Sequence, residues 1–204
     1  MAIVKKYQAE IVGITVSANQ VELGRKLCQG LPVEFRLMDY RELDPREKFD
    51  RILSVGMFEH VGYKNYRKFF KVASGCLSDD GLFLLHTIGN SVSVKATNLW
   101  TKKYIFPTGM IPSLAQIGKA IENIFIVEDL HNFGADYDKT LMAWYRNFVD
   151  NWSYLRERYS ERFFRMWSFY LLSAAGVFRS RGSDQLWQIV FSKYGIPGGY
   201  HSIR

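Results

Sequence analysis

The sequence predicts an α/β protein built on a doubly wound, mostly parallel sheet. Short apolar runs of strand length alternate with helical stretches along much of the chain, the order that βαβ units produce. Two of these runs, Phe49-Asp50-Arg51-Ile52-Leu53-Ser54-Val55 and Gly81-Leu82-Phe83-Leu84-Leu85, read as buried parallel strands. Both then break into ionisable residues and glycine, Gly56-Met57-Phe58-Glu59-His60 and His86-Thr87-Ile88-Gly89, as strands do where they deliver side chains to a site. Ligands of open α/β sheets lie beyond the carboxyl ends of the strands, which places Glu59, His60 and His86 near one crevice and points to an enzyme.

Taken in order, residues 9 to 16 read as a strand, with Ser17 as the N-cap of a helix running to about Cys28. Val33 to Met38 alternates apolar and polar residues and ends in Asp39-Tyr40-Arg41. Residues 49 to 57 form a third strand, 64 to 77 a helix and 81 to 88 a fourth strand, with Asp79-Asp80-Gly81 as the turn between the last two. From Asn90 to about Ile111 the pattern loosens around Trp100, Tyr104, Ile105, Phe106 and Pro107, a long apolar loop of the kind that forms lids. Pro112 and Ser113 open a short helix, Ile124 to Leu130 is a fifth strand, and His131 to Tyr137 is a polar cluster after it. Helices are expected at 138 to 156 and, capped by Ser160, at 160 to 179; residues 185 to 192 form the last strand, and Gly195 to Gly199 a flexible tail. No repeat or linker divides the chain, so residues 1 to 204 read as one domain, with residues 94 to 180 carrying the lid loop and a helical insertion.

Composition narrows the class. With 48% hydrophobic and 23% charged residues, the chain has the make-up of a globular domain and not of a disordered one. A formal charge of +7 and a pI near 9.4 favour an anionic partner, either nucleic acid or a membrane leaflet. Lys and Arg are dispersed and no base-stacking motif is present, which argues against nucleic acid. Aromatic residues make up 16%; most suit a Phe-rich core, and others suit a lipid interface or apolar tunnel. Cys28 and Cys76 have no metal-ligand spacing and fit a reduced cytosolic compartment. The N-terminus lacks a signal-peptide core and no run of about 18 apolar residues occurs, so membrane contact is expected to be peripheral.

Seven ordered blocks then carry a resemblance: Gly13-Ile14-Thr15-Val16-Ser17-Ala18-Asn19-Gln20, Asp39-Tyr40-Arg41, Ser54 to Gly62, Leu84 to Gly89, Lys103-Tyr104-Ile105-Phe106-Pro107, His131 to Tyr137, and Thr140-Leu141-Met142-Ala143-Trp144-Tyr145. Through nearly its whole length the chain resembles the cyclopropane-fatty-acyl-phospholipid synthases and the related mycolic acid cyclopropane synthases, S-adenosylmethionine-dependent methyltransferases. The resemblance implies methyl transfer from S-adenosylmethionine to a cis double bond of a phospholipid acyl chain, leaving a cyclopropane ring, at the inner face of the cell membrane. It implies a bound bicarbonate as base, held by Glu59, His86 and Tyr170 with the backbone of Ile88 alongside. His86 and Tyr170 would donate to the anion, while Glu59 would accept its proton in a hydrogen bond and favour the imidazolium. By the same resemblance Thr15, Val16 and Gln20 meet the ribose and methionine part of the methyl donor, and Asp39, Tyr40 and Arg41 meet the adenine. Ser17 and Gln20 are equally readable as a helix cap with its third residue.

Two departures from the family pattern stand out. The glycine-rich loop after the family's first strand, that strand itself, the N-terminal cap over the acyl pocket and a bicarbonate-holding cysteine have no counterpart here. The expected outcome is a sheet with two unpaired strand edges and an exposed apolar row, weak binding of S-adenosylmethionine, and the character of a C-terminal part of a synthase. A homodimer and association with the missing N-terminal segment both stay open. The helix after Tyr170 also has Ala174 where many relatives carry a cysteine. Alternatives are a lipid methyltransferase that does not close the ring, a non-catalytic lipid-binding remnant using Trp100, Tyr104 and Phe106, and a nucleic-acid protein suggested by charge alone.

Overall fold

Strand pairing divides the protein into two sheets. The computed structural model describes residues 2–202, which fall into two compact units, one ending at Lys48 and the other beginning at Phe49. After a short helix α1 (Ala2–Tyr7), the smaller unit contains β1 (Ile11–Thr15), α2 (Ala18–Leu27) and β2 (Val33–Leu37). β1 and β2 run parallel, in register from Ile11 opposite Val33 to Thr15 opposite Leu37. Phe35 holds this βαβ unit together: a Cβ on Gly24 of α2 would come within 2.8 Å of its ring, so only glycine lets the helix lie so close to the strand.

The larger unit is ordered β3 (Phe49–Val55), α3 (Tyr66–Cys76), β4 (Leu77–Asn90), α4 (Leu99–Tyr104), α5 (Leu114–Ile121), β5 (Ile126–Asn132), α6 (Gly134–Asp150), α7 (Trp152–Leu155), α8 (Glu161–Ser180) and β6 (Asp184–Ser192). Its sheet has the order β3-β4-β6-β5. β3 is parallel to β4, and β6 is antiparallel to both β4 and β5, so three strands point one way and β6 alone is reversed between them.

Side chains alternate between the two faces of this sheet. Phe83 and Leu85 on β4 share one face with Trp187, Ile189 and Phe191 on β6, all at most 1% exposed. Rings of Phe58, Phe69, Phe70, Phe83, Phe125 and Phe191 interlock there in tilted and edge-on pairs, for example 5.6 Å between Phe70 and Phe191. On the opposite face, Leu186 and Ile88 pack with Leu141 and Phe148 of α6 and Leu171, Ala175 and Phe178 of α8. Helices thus cover both faces, as a doubly wound sheet requires.

Several expectations change. β3 does not behave as a strand buried on both faces: Leu53 and Val55 are 53% and 63% exposed. Among the described residues β3 pairs only with β4, and β1 only with β2, so each has an open edge, the pair of unpaired edges expected of a sheet without the family's first strand. Asp79-Asp80-Gly81 is not a turn. It lies inside β4 at an irregularity where Phe49 pairs with Leu77 but Arg51 with Leu82, and turn-forming residues are absorbed by looping out one strand against the other. The polar cluster from His131 divides between the end of β5 and the first turn of α6, and the apolar loop after Asn90 contains α4. Ser160 caps α8 as expected, accepting from the amide of Phe163. Among the described residues no helix is long and apolar enough to cross a membrane.

Candidate active site

Two parallel strands bring the opening clusters together in the larger unit. Val55 at the end of β3 is opposite His86 on β4, and the amide of Gly56 donates to the carbonyl of His86 at 3.1 Å. Gly56, at φ +62°, turns the chain into a single 3-10 turn, Phe58–His60, whose Phe58 is fully buried. That anchor projects Glu59 across to β4, where its Oε1 accepts from the Ile88 amide at 2.7 Å. The Glu59 carbonyl in turn accepts from the Met110 amide at 2.7 Å, and the Tyr66 hydroxyl donates to the Met110 carbonyl at 3.3 Å. The carboxylate is therefore held at both ends of its residue.

Its second oxygen is not. Glu59 Oε2 is buried and has no hydrogen-bond partner. A carboxylate oxygen in that state is costly, and its natural complement is a donor that the protein does not itself supply.

His86 is half-buried, and burial holds its imidazole below the usual histidine value although Glu59 pulls the other way. The neutral ring is thus favoured, contrary to the imidazolium expected from the carboxylate alone, because desolvation outweighs the one nearby charge. The Gln188 side-chain amide is 3.4 Å from His86 Nδ1. An amide donor there leaves Nε2 as the protonated nitrogen, free to donate. The ring of Phe133 is 5.5 Å from that of His86.

Tyr170 on α8 and Tyr137 on α6 pack on the same helical cluster as Ile88 and Phe133. Burial pushes Tyr170 up to about 12, with smaller contributions from Tyr137 and Asp184, so its hydroxyl stays protonated and able to donate. Burial also raises Tyr137, with Glu59 adding to the effect. Phe106 bridges the set, its ring 6.0 Å from Tyr170 and 5.9 Å from His60. His60 itself turns aside, with Nδ1 3.4 Å from the Thr108 hydroxyl.

In the smaller unit the candidate donor-binding residues gather at the carboxyl ends of β1 and β2, which the Met38 amide ties together by donating to the Thr15 carbonyl at 2.9 Å. The Thr15 hydroxyl donates to Gln20 Oε1 at 2.6 Å and accepts from the Ser17 amide. Ser17 caps α2 by accepting from the Gln20 amide, but Gln20 reaches Thr15 and not the Ser17 backbone, so no reciprocal capping box forms there. Val16 is 76% exposed. Asp39 caps the turn Tyr40–Glu42 and binds Arg41 through both carboxylate oxygens, at 2.8 and 2.7 Å. This ion pair raises Arg41, and the guanidinium lies 6.0 Å from the centre of the Tyr40 ring.

The catalytic candidates Glu59, His86, Ile88 and Tyr170 thus belong to the larger unit, and Thr15, Val16, Gln20, Asp39, Tyr40 and Arg41 to the smaller one. Among the described residues no group of three His, Cys, Asp or Glu side chains is placed to hold a metal ion.

A family model described as mycolic acid cyclopropane synthetase matches residues 1–189. The chain belongs to this family. It is 50% identical over 198 residues to the cyclopropane-fatty-acyl-phospholipid synthase of Escherichia coli, covering 97% of the chain and 51% of that relative. It is 30% identical to sphingolipid C9-methyltransferase 2 of Gibberella zeae, over 93% of the chain and 38% of the relative. The crystal structure of a mycolic acid cyclopropane synthase complexed with SAH and CTAB superposes with a TM-score of 0.84 at 28% identity, covering 95% of the chain and 73% of that structure. The fold is therefore that of the family's α/β methyltransferases, with a mixed sheet. The chain spans about half the length of the curated relatives it matches.

Gln188 and Tyr137 escape a reading by sequence. Gln188 reaches His86 only because β6 is antiparallel to β4 with these two residues opposite each other, a register no local pattern encodes. Tyr137 stands in a polar cluster whose helical start hid its inward direction; the spacing Tyr137, Leu141, Tyr145, Phe148 is the detectable signal, an apolar stripe at helical period.

Proposed function

We propose that this chain carries the catalytic corner of a cyclopropane-fatty-acyl-phospholipid synthase. The reaction joins a methyl carbon from S-adenosylmethionine to both carbons of a cis double bond in a phospholipid acyl chain, with loss of one proton. The observation that carries the proposal is the buried, unpartnered Oε2 of Glu59, with His86 near enough to feel its charge and Tyr170 packed on the same cluster as Ile88, whose amide holds Oε1. One acceptor and two donors fit bicarbonate, which has one O–H to give and oxygens to receive.

When bound, S-adenosylmethionine supplies the methyl group and bicarbonate the base that removes its proton. Glu59 Oε2 would accept the O–H of the anion, while Oε1 stays on the Ile88 amide and fixes the carboxylate. His86 would donate from Nε2, its Nδ1 occupied by Gln188, and Tyr170 would donate from its hydroxyl. Because neither donor carries a full positive charge, they hold the anion without quenching its basicity as an imidazolium would. Phe133 and Tyr137 would offer aromatic rings to positive charge developing on the alkene carbons. In the smaller unit Thr15, Val16 and Gln20 would meet the ribose and methionine part of the donor, and Asp39, Tyr40 and Arg41 its adenine, Asp39 sharing with the ligand a carboxylate that now serves Arg41.

These residues include no Gly-x-Gly element to cradle the donor. We therefore expect weak binding of S-adenosylmethionine by the 204-residue chain, and tight binding in calorimetry would contradict that. Work at the inner face of a cell membrane follows from the lipid substrate and the net charge of +7.

The test is product analysis. Methyl-labelled S-adenosylmethionine and vesicles with cis-unsaturated chains should yield lipid heavier by one carbon with the upfield proton signals of a cyclopropane. A methyl branch would instead favour ring-free methylation, and vesicle binding without labelled product would favour a non-catalytic lipid-binding chain.

A further inference from the structure

The residues leading into α3 and the loop and helix that follow β4 bound a concave, positively charged pocket that the methyl-transfer chemistry does not use. Lys64, Lys95 and Lys102 line a cavity of about 310 Å³ together with Thr97, Thr108 and Met110, and no Asp or Glu lines it. The three lysines are exposed, and none forms an ion pair among the described residues. Three like charges around one hollow repel each other, which an anion would relieve.

The cavity is built and not an accident of loose loops. Thr97 donates from Oγ1 to the Gly109 carbonyl, closing the segment on itself. Thr108 is tied to His60, and the Met110 amide to the Glu59 carbonyl at 2.7 Å. One hydrogen bond therefore links the floor of the cavity to the residue that bears the unpartnered carboxylate.

The rim says which anion. Leu99 is 84% exposed, one turn before Lys102 on α4, and Val92 and Phe106 are exposed in the flanking segments. Apolar side chains standing in solvent among lysines suit the headgroup boundary of a bilayer, where both can be satisfied at once. A free anion would leave the apolar groups unexplained, and nucleic acid would leave the aliphatic Leu99 and Val92, which do not stack on bases, without a role.

We propose that Lys64, Lys95 and Lys102 form the phosphodiester site for an anionic phospholipid, with α4 and its neighbouring segments resting on the bilayer. This inference rests on the reading of a lipid substrate and adds the place where its head is held: a phosphate in the cavity sits beside the residue whose carboxylate faces the chemistry.

Flotation of the 204-residue chain with phosphatidylcholine vesicles doped with phosphatidylglycerol tests it. The variant K64Q/K95Q/K102Q should lose vesicle binding on the order of a hundredfold, the combined effect of three lysines near the surface. A control of equal charge, K26Q/K71Q/K119Q, which alters exposed lysines that do not line the cavity, should lose no more than a few-fold. L99S should weaken vesicle binding while circular dichroism stays unchanged. Equal loss in the two triple variants would overturn the site and leave peripheral binding intact. Absence of vesicle binding by the unaltered chain would overturn both, and inorganic phosphate binding as tightly as the vesicles would overturn the lipid assignment. The product assay decides the catalytic reading independently of all these outcomes.

Discussion

The two polar corners at strand ends differ in what they leave unsatisfied. In the smaller unit the polar groups answer each other: Thr15 binds Gln20, and Asp39 binds Arg41. In the larger unit Glu59 spends one oxygen on Ile88 and keeps the other buried without a partner. A self-satisfied corner on the surface can open to a ligand by exchanging partners and costs the fold little meanwhile. A buried orphan acceptor destabilises the fold, which is tolerable when a bound group supplies the missing donor. The difference is what the proposed reaction asks of the larger unit's corner.

The comparison breaks most readily at Glu59. E59Q keeps an acceptor for Ile88 but places a donor where Oε2 is an open acceptor, and methyl transfer should fall about a thousandfold, within the range for loss of a proton-transfer catalyst. A loss below tenfold would remove the carboxylate from the mechanism. Y170F should lower turnover by roughly ten- to a hundredfold while leaving folding unchanged, since it deletes only the hydroxyl proposed to donate to the anion.

Folding stability provides a third probe, through pH. The His86 pKa is lowered in the folded protein, so unfolded chains bind more protons between that lowered value and the ordinary one near about 6.5. Its contribution to stability is therefore present above about pH 6.5 and is lost as pH falls toward the folded value. Q188L should change this acid dependence by removing the partner of Nδ1, and urea midpoints measured across pH would record it. H86N should remove the dependence.

Smaller effects are expected from the other corner. T15V removes a hydrogen bond between groups near the surface and should cost less than about 1 kcal/mol. By contrast, G89A should cost about 1–3 kcal/mol as an overpacked core position, because an added Cβ would come within 1.9 Å of Trp187. Comparable thermal losses in the two variants would contradict the contrast between a self-satisfied surface corner at Thr15 and a packed strand end at Gly89.

How legible the molecule is follows from how local each determinant is. Glu59 and His86 could be found because an apolar strand that stops abruptly is a local pattern, and Ser17, Ser113 and Ser160 because capping is local too. Tyr170 emerges only through family resemblance, since its approach to Ile88 depends on how α8 packs over the sheet. Gln188 depends on strand register across the chain. α4 is too short and too mixed in composition, Leu99-Trp100-Thr101-Lys102-Lys103-Tyr104, to announce itself. The Asp79-Asp80-Gly81 turn signal is overridden because β4 continues past it in extended conformation.

Binding of carbon-13-labelled bicarbonate, followed by the broadening of its NMR signal on addition of protein, most directly tests whether the open oxygen of Glu59 holds a small anion. The account predicts broadening with the unaltered chain, weakened at least tenfold in E59Q and reduced in Y170F. Equal broadening by E59Q and the unaltered chain would contradict it.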